Sequence, residues 1–182
     1  MDILSQLEET AEFLKSKYSY HPKVGIVLGS GLSNFTDEIA AEFEIAYTDI
    51  PNFPVSTVEG HNGKLVFGKL GNKTVVAMAG RFHFYEGYSA HEVIFPIRVM
   101  NWLGVDTLLL SNAAGAVNTS YAVGDLMVIK DHISLFTANP LIGKNFDELG
   151  PRFPDMSEPY KKSLIQKAKT IAAKNDIQLM EG

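Results

Sequence analysis

Three short stretches of the chain concentrate side chains able to hold a small anion. One is Gly80-Arg81-Phe82-His83-Phe84-Tyr85-Glu86-Gly87-Tyr88, which follows an apolar run directly. Arg81 carries a planar fork of N–H donors suited to bidentate binding of an oxyanion, and His83 adds a donor two residues on. In extended backbone, residues two apart share a side. Arg81, His83 and Tyr85 would then line one edge while Phe82 and Phe84 turn into the core. Such an edge is a coherent wall for a phosphorylated or sugar-like ligand, and it is compatible with the blander reading of a surface strand edge anchored by its phenylalanines.

The second stretch, Gly29-Ser30-Gly31, closes a β-branched run over residues 23–28 and precedes a helix expected over residues 32–41. A strand entering glycines and then a helix leaves backbone N–H groups beside the positive end of a helix dipole, and Ser30 adds a hydroxyl. An isolated glycine–serine–glycine is more often a plain tight turn. Two sharper readings fail on spelling. A dinucleotide fingerprint needs glycine where Asn34 stands, and a nucleophile elbow needs glycine where Leu28 stands. A small-anion cradle survives both tests.

The third stretch, Ser111-Asn112-Ala113-Ala114-Gly115, ends the apolar run of residues 106–111. Open α/β sheets bind ligands at the C-terminal ends of their strands, where small residues let a ligand reach the backbone. Close helix–sheet packing asks for the same residues. His61, between Gly60 and Asn62 on a loop, carries little weight alone, and His21, His91 and His132 read as structural. The five histidines form no metal-ligand pattern, so no metal is expected.

Helices and strands must position these groups. Ile3, Leu7, Ala11, Leu14 and Tyr18 form one stripe of an amphipathic helix. Residues 64–68 and 73–79 flank Gly71-Asn72 as a hairpin. Ser89 and Glu92 read as a capping box before a helix over 93–103, and residues 106–111 read as a buried strand. Further on, a strand is expected over 126–130, a helix over 157–174 with Leu164, Ile165, Ala168, Ile171 and Ala172 on one side, and a last strand opening at 177–180. Alternating strands and helices define an α/β fold, a sheet with helices packed on it. Residues 138–154 are rich in Gly, Pro and Asn, and a connection that long is usually functional or interfacial.

Composition narrows the function. The chain has 182 residues, 46% hydrophobic and 20% charged, which places it with globular proteins of one domain, expected over 1–182. Its net charge of −5 argues against broad nucleic-acid binding, and it has no cysteine for disulfides, thiolate chemistry or zinc–cysteine sites. The acidic N-terminus does not read as a signal peptide, and the apolar runs fall well short of the ~20 residues that span a membrane. A cytoplasmic protein without membrane or nucleic-acid partners is expected.

Taken together, the motifs resemble the trimeric, inosine–guanosine type purine nucleoside phosphorylases. The matching pieces, in family order, are Gly29-Ser30-Gly31-Leu32, residues 53–63 (FPVSTVEGHNG), residues 80–87 (GRFHFYEG), Asn112-Ala113-Ala114-Gly115, residues 124–132 (GDLMVIKDH) and residues 152–157 (RFPDMS). Ser33 and Ala116 stand where the family commonly has glycine. The resemblance implies a mixed central β-sheet flanked by helices, the nucleoside phosphorylase fold, with the chain ending before the family's C-terminal base-binding portion.

It also implies phosphorolysis of purine ribo- and 2′-deoxyribonucleosides to free base and (deoxy)ribose 1-phosphate, in purine salvage. Phosphate is then a co-substrate, and no cofactor is needed. Ser30, His61, Arg81, His83 and the backbone of Ala113 would bind phosphate, with Arg81 and His83 catalytic. Tyr85, Asn112 and a Phe153 from a neighbouring subunit would contact the nucleoside, making the active unit a homotrimer. The alternative is a chain that keeps the phosphate half of the site without turnover. A nucleotide-dependent oxidoreductase fails at Asn34, and a methylthioadenosine phosphorylase fits the spelling of residues 80–87 less well.

Overall fold

The computed structural model describes residues 2–54 and 63–182, which form two compact units, Met1–Ala113 and Ala114–Gly182. In the first, helix α1 (Ile3–Lys17) forms on the expected stripe. The Asp2 side chain accepts from Ser5 N at 2.9 Å as N-cap, and Leu7, Ala11 and Leu14 are buried beneath the helix.

A five-stranded mixed sheet follows: β1 (Val24–Val27), β2 (Ala40–Ala46), β3 (Lys64–Leu70), β4 (Lys73–Ala79) and β5 (Thr107–Leu110), ordered β2-β3-β4-β1-β5. The β3–β4 hairpin turns at Gly71, whose φ of 58° suits a residue without a Cβ. By contrast, β1 is parallel to both β4 and β5. The C-terminal ends of β4, β1 and β5 therefore lie side by side at one edge of the sheet. Ile26, Leu28, Ile39, Val66, Val75 and Ala77 fill the core against it. Helix α2 (Ala90–Trp102) starts on the expected capping box, with Ser89 and Glu92 each bonding the other's backbone, and those Ser89 hydrogen bonds hold the Glu92 carboxyl below its ordinary range.

Three expectations need correction. The helix expected over 32–41 is instead a 3-10 turn, Ser33–Glu38, running into β2. Ser33, Asn34, Thr36 and Asp37 are weak helix formers, and Phe43 and Ile45 then alternate toward the sheet. Strand β5 is not buried. It is the edge strand of this sheet, and Leu109 and Leu110 are 50% and 56% exposed.

In the second unit, helix α3 (Lys162–Lys174) begins later than expected. Pro159 disfavours helical backbone at Glu158, and Asp155 accepts from Ser157 N and Oγ at 2.8 and 2.6 Å in a local turn that lowers its pKa. The helix opens where Glu158 accepts from Lys162 N at 2.7 Å. Of its expected apolar face only Ala172 is buried, while Leu164 and Ile171 are exposed. The expected strands form as β6 (Leu126–Val128) and β7 (Leu179–Glu181), paired in parallel. Among the described residues, no helix is long and apolar enough to cross a membrane.

One glycine is fixed by close approach. A Cβ on Gly68 would lie 2.3 Å from Ala40 O, where β2 and β3 shift register. Gly68→Ala is expected to lower stability by about 1–3 kcal/mol. Gly115→Ala, with nothing within 4 Å of its Cβ, should stay within about 0.5 kcal/mol of the native chain. Urea denaturation of both variants checks the contrast.

Candidate active site

The sheet order brings the three chemically loaded stretches together. The segment after β4 carries Arg81 and His83, the segment after β1 carries Ser30, and the segment after β5 carries Asn112 and Ala113. Ligands of open α/β sheets sit at such adjoining C-terminal strand ends.

Hydrogen bonds tie the three ends to one another. Ser111 N donates to Val27 O at 3.0 Å. Gly29 N donates to Ser111 Oγ at 3.0 Å, and that hydroxyl donates to Val27 O at 3.1 Å. Arg81 Nη1 donates to Ser111 O at 2.8 Å, and Arg81 Nε donates to His83 Nε2 at 3.0 Å. With Nε2 accepting, the network assigns the His83 proton to Nδ1, which donates it to the Glu86 carboxylate in a close hydrogen bond. Tyr85 stacks on the His83 ring, centroids 4.7 Å apart and planes 18° from parallel, and is 81% exposed. Among the described residues, Arg81 gives two of its five N–H donors to protein acceptors.

An aromatic cluster supports this segment from below. Phe82 is buried against Tyr47 and Tyr88, and Tyr47 continues to Phe53 and on to Phe95 of α2. Tyr47 OH donates to Gly80 O at 2.6 Å, next to Arg81 in the chain. Burial pushes the Tyr47 phenol well above its ordinary pKa, so it remains a donor at any working pH.

The expected residues therefore fall as follows. Ser30, Arg81, His83, Tyr85, Asn112 and Ala113 belong to the three neighbouring strand ends. Phe82 is buried as expected, but Phe84 is 45% exposed because the chain enters a 3-10 turn at Phe84–Glu86 and abandons the alternation. The helix dipole expected behind Gly31 is replaced by the short 3-10 turn, and the Gly29 N–H is spent on Ser111. His61 lies outside the described residues, although Gly63 from the same motif packs beside Gly80, whose Cβ would lie 3.5 Å from the Gly63 Cα. Phe153 belongs to the second unit and is 88% exposed.

Two residues with evident roles here escaped the sequence reading. Glu86 was legible as a carboxylate three residues past His83. Ser111 had no signal, because its contacts cross between distant segments. A groove lined by Ile97, Met100, Asn101 and residues 105–108 sits at the opposite end of β5 and involves none of these groups. Among the described residues, no cluster of His, Asp or Glu could hold a metal ion.

Comparison with known proteins identifies the family to which this fold belongs. The family model of the phosphorylase superfamily matches residues 23–182, and the fold is that of its solved purine nucleoside phosphorylases. Purine nucleoside phosphorylase 1 of Geobacillus stearothermophilus is 56% identical over 97% of this chain, and that of Bacillus subtilis (strain 168) is 52% identical over 97%. This chain belongs to the purine nucleoside phosphorylase family.

Its span is 64% and 65% of the length of those two relatives. A crystal structure of Schistosoma mansoni purine nucleoside phosphorylase superposes with a TM-score of 0.92 at 42% identity, covering 98% of this chain and 68% of that one. Isoform 2 from the same organism, solved with cytosine and ribose-1-phosphate, gives 0.90 at 45% identity, covering 98% and 64%.

The cluster makes Tyr47 a support of the site segment. Tyr47→Phe leaves the Gly80 carbonyl without its phenol partner and is expected to destabilise the fold by about 1–3 kcal/mol in chemical denaturation.

Proposed function

We propose that this chain carries the phosphate half of a purine nucleoside phosphorylase site and acts in phosphorolysis of purine (deoxy)ribonucleosides to free base and (deoxy)ribose 1-phosphate. The observation that carries the reading is the meeting of Ser30, Arg81, His83 and Ala113 at three neighbouring parallel strand ends. Family membership supplies the reaction.

Cleaving the glycosidic bond builds positive charge on the ribose. A phosphate dianion held beneath C1′ stabilises that charge and attacks it. Arg81, with the N–H donors it does not give to described residues, and the Ser30 and Ala113 groups hold the nucleophile in line, which is proximity joined to preorganised electrostatics. Phosphate at Arg81 would take the Nε–H that His83 now accepts, and the freed His83 Nε2 would accept the O–H of the hydrogen phosphate dianion while Nδ1 stays on Glu86. Tyr85, stacked on His83 and open to solvent, offers its face to the sugar, and Asn112 stands at the nucleoside side of the same edge. We assign His61 to the phosphate set by resemblance.

The same reading makes the active unit a homo-oligomer, a trimer by resemblance, in which the exposed Phe153 reaches a neighbouring subunit's site. It makes residues 1–182 one α/β domain, since the family model runs without break from residue 23 to 182 across both compact units. It works with phosphate as co-substrate, without metal or cofactor, in the cytoplasm.

Inosine cleavage by this polypeptide tests the reading. Hypoxanthine should appear only with phosphate present, and Arg81→Ala should cut the rate by at least about a hundredfold, the scale of a lost electrostatic stabiliser. Release that ignores phosphate, or survives Arg81→Ala, contradicts the reading. Phosphate binding by calorimetry without any release supports the alternative, a chain that holds the nucleophile without turnover.

A further inference from the structure

We infer that Ser111 is a positioning residue for the phosphate site, and that its hydroxyl, by standing in for a backbone carbonyl, sets where Arg81 sits. The inference rests on the phosphate-binding reading above. Strands β1 and β5 pair in parallel up to Val27 and Leu110, and Ser111 N donates to Val27 O. The next bond of a regular parallel ladder would run from Gly29 N to Ser111 O. It does not form. Gly29 N donates to Ser111 Oγ instead, at 3.0 Å, and the hydroxyl passes its own proton to Val27 O at 3.1 Å.

The Ser111 carbonyl is thereby released from the ladder, and it accepts from Arg81 Nη1 at 2.8 Å. One small side chain closes the gap between β1 and β5 and provides the anchor for the guanidinium. The packing leaves little freedom for another solution, because a Cβ on Gly29 would lie 2.7 Å from Ser111 O and 2.8 Å from Asn112 Cα.

Without the hydroxyl, Gly29 N must either lose its partner or reclaim the Ser111 carbonyl. Reclaiming it swings the Ser111 carbonyl toward the ladder, and Arg81 Nη1, which must then share that oxygen through its second lone pair, shifts with it and moves the fork that should meet phosphate. Ser111 itself need not touch the ligand. A residue filling this role must be small and must present a hydroxyl both as acceptor and as donor, which serine and threonine do and alanine and valine do not.

Three variants test this. Ser111→Ala removes the hydroxyl, Ser111→Val removes it within a β-branched shape, and Ser111→Thr retains it. Calorimetric titration with inorganic phosphate should show binding weakened about tenfold in Ser111→Ala and Ser111→Val, the scale of one lost net hydrogen bond, and within about twofold of native in Ser111→Thr. Where turnover is measured, KM for phosphate should rise while KM for inosine holds.

Native-like phosphate binding in Ser111→Ala overturns the inference and leaves the functional reading intact. So does an equal weakening in Ser111→Thr and Ser111→Ala, or a parallel rise in both KM values, since either marks a general structural role. A native chain that binds no phosphate overturns the functional reading and this inference with it.

Discussion

Three parallel strand ends are held at one level, and everything proposed for this protein depends on that constraint. β4, β1 and β5 lie next to one another although they come from residues 73–79, 24–27 and 107–110. Their parallel direction is what carries a serine-bearing glycine turn, an arginine–histidine segment and an asparagine–alanine segment to the same edge. The approach at the end of β1 is so close that Gly29 admits no Cβ against Ser111. Any widening there would part Ser30 from Asn112 and Ala113 and undo the juxtaposition on which the proposed site rests.

The electrostatics follow from the same contacts. The chain is acidic overall, with a net charge of −5, yet the strand edge presents a guanidinium whose described partners are a carbonyl and a ring nitrogen. Neither carries a charge that would neutralise it. The nearby carboxylate, Glu86, is engaged by the far side of the His83 ring. Among the described residues positive charge is thus left uncompensated at this edge, and the aromatic cluster of Tyr47, Phe82 and Tyr88 fixes the segment that bears it. A fixed, partly desolvated charge of this kind stabilises a bound anion more strongly than a mobile surface arginine does.

Much of this was legible in the residues, and what was not has physical causes. The hairpin at Gly71, the Ser89–Glu92 capping box and the stripe of α1 are local features, and each appears as read. The stretch at residues 32–41 misled because Leu32, Phe35 and Ile39 fall at helical spacing, while weak helix formers between them and strand pairing of β2 decided the matter. An apolar run over residues 106–111 suggested burial on both sides, but only the sheet order reveals that β5 is an edge. For the candidate site, alternation put Arg81, His83 and Tyr85 on one edge, where they contact one another, and failed at Phe84, where the backbone turns. Ser111 was invisible because its role exists only once residues more than eighty positions apart are neighbours.

The most direct test of the account is a phosphate titration of the chain followed by NMR at backbone amides. If the three strand ends form one anion site, the amides of Ser30, Arg81, His83 and Ala113 should shift together, saturating with a single Kd. Shifts confined to one of these segments, or saturating with unrelated constants, would contradict the claim that the sheet assembles them into a single site.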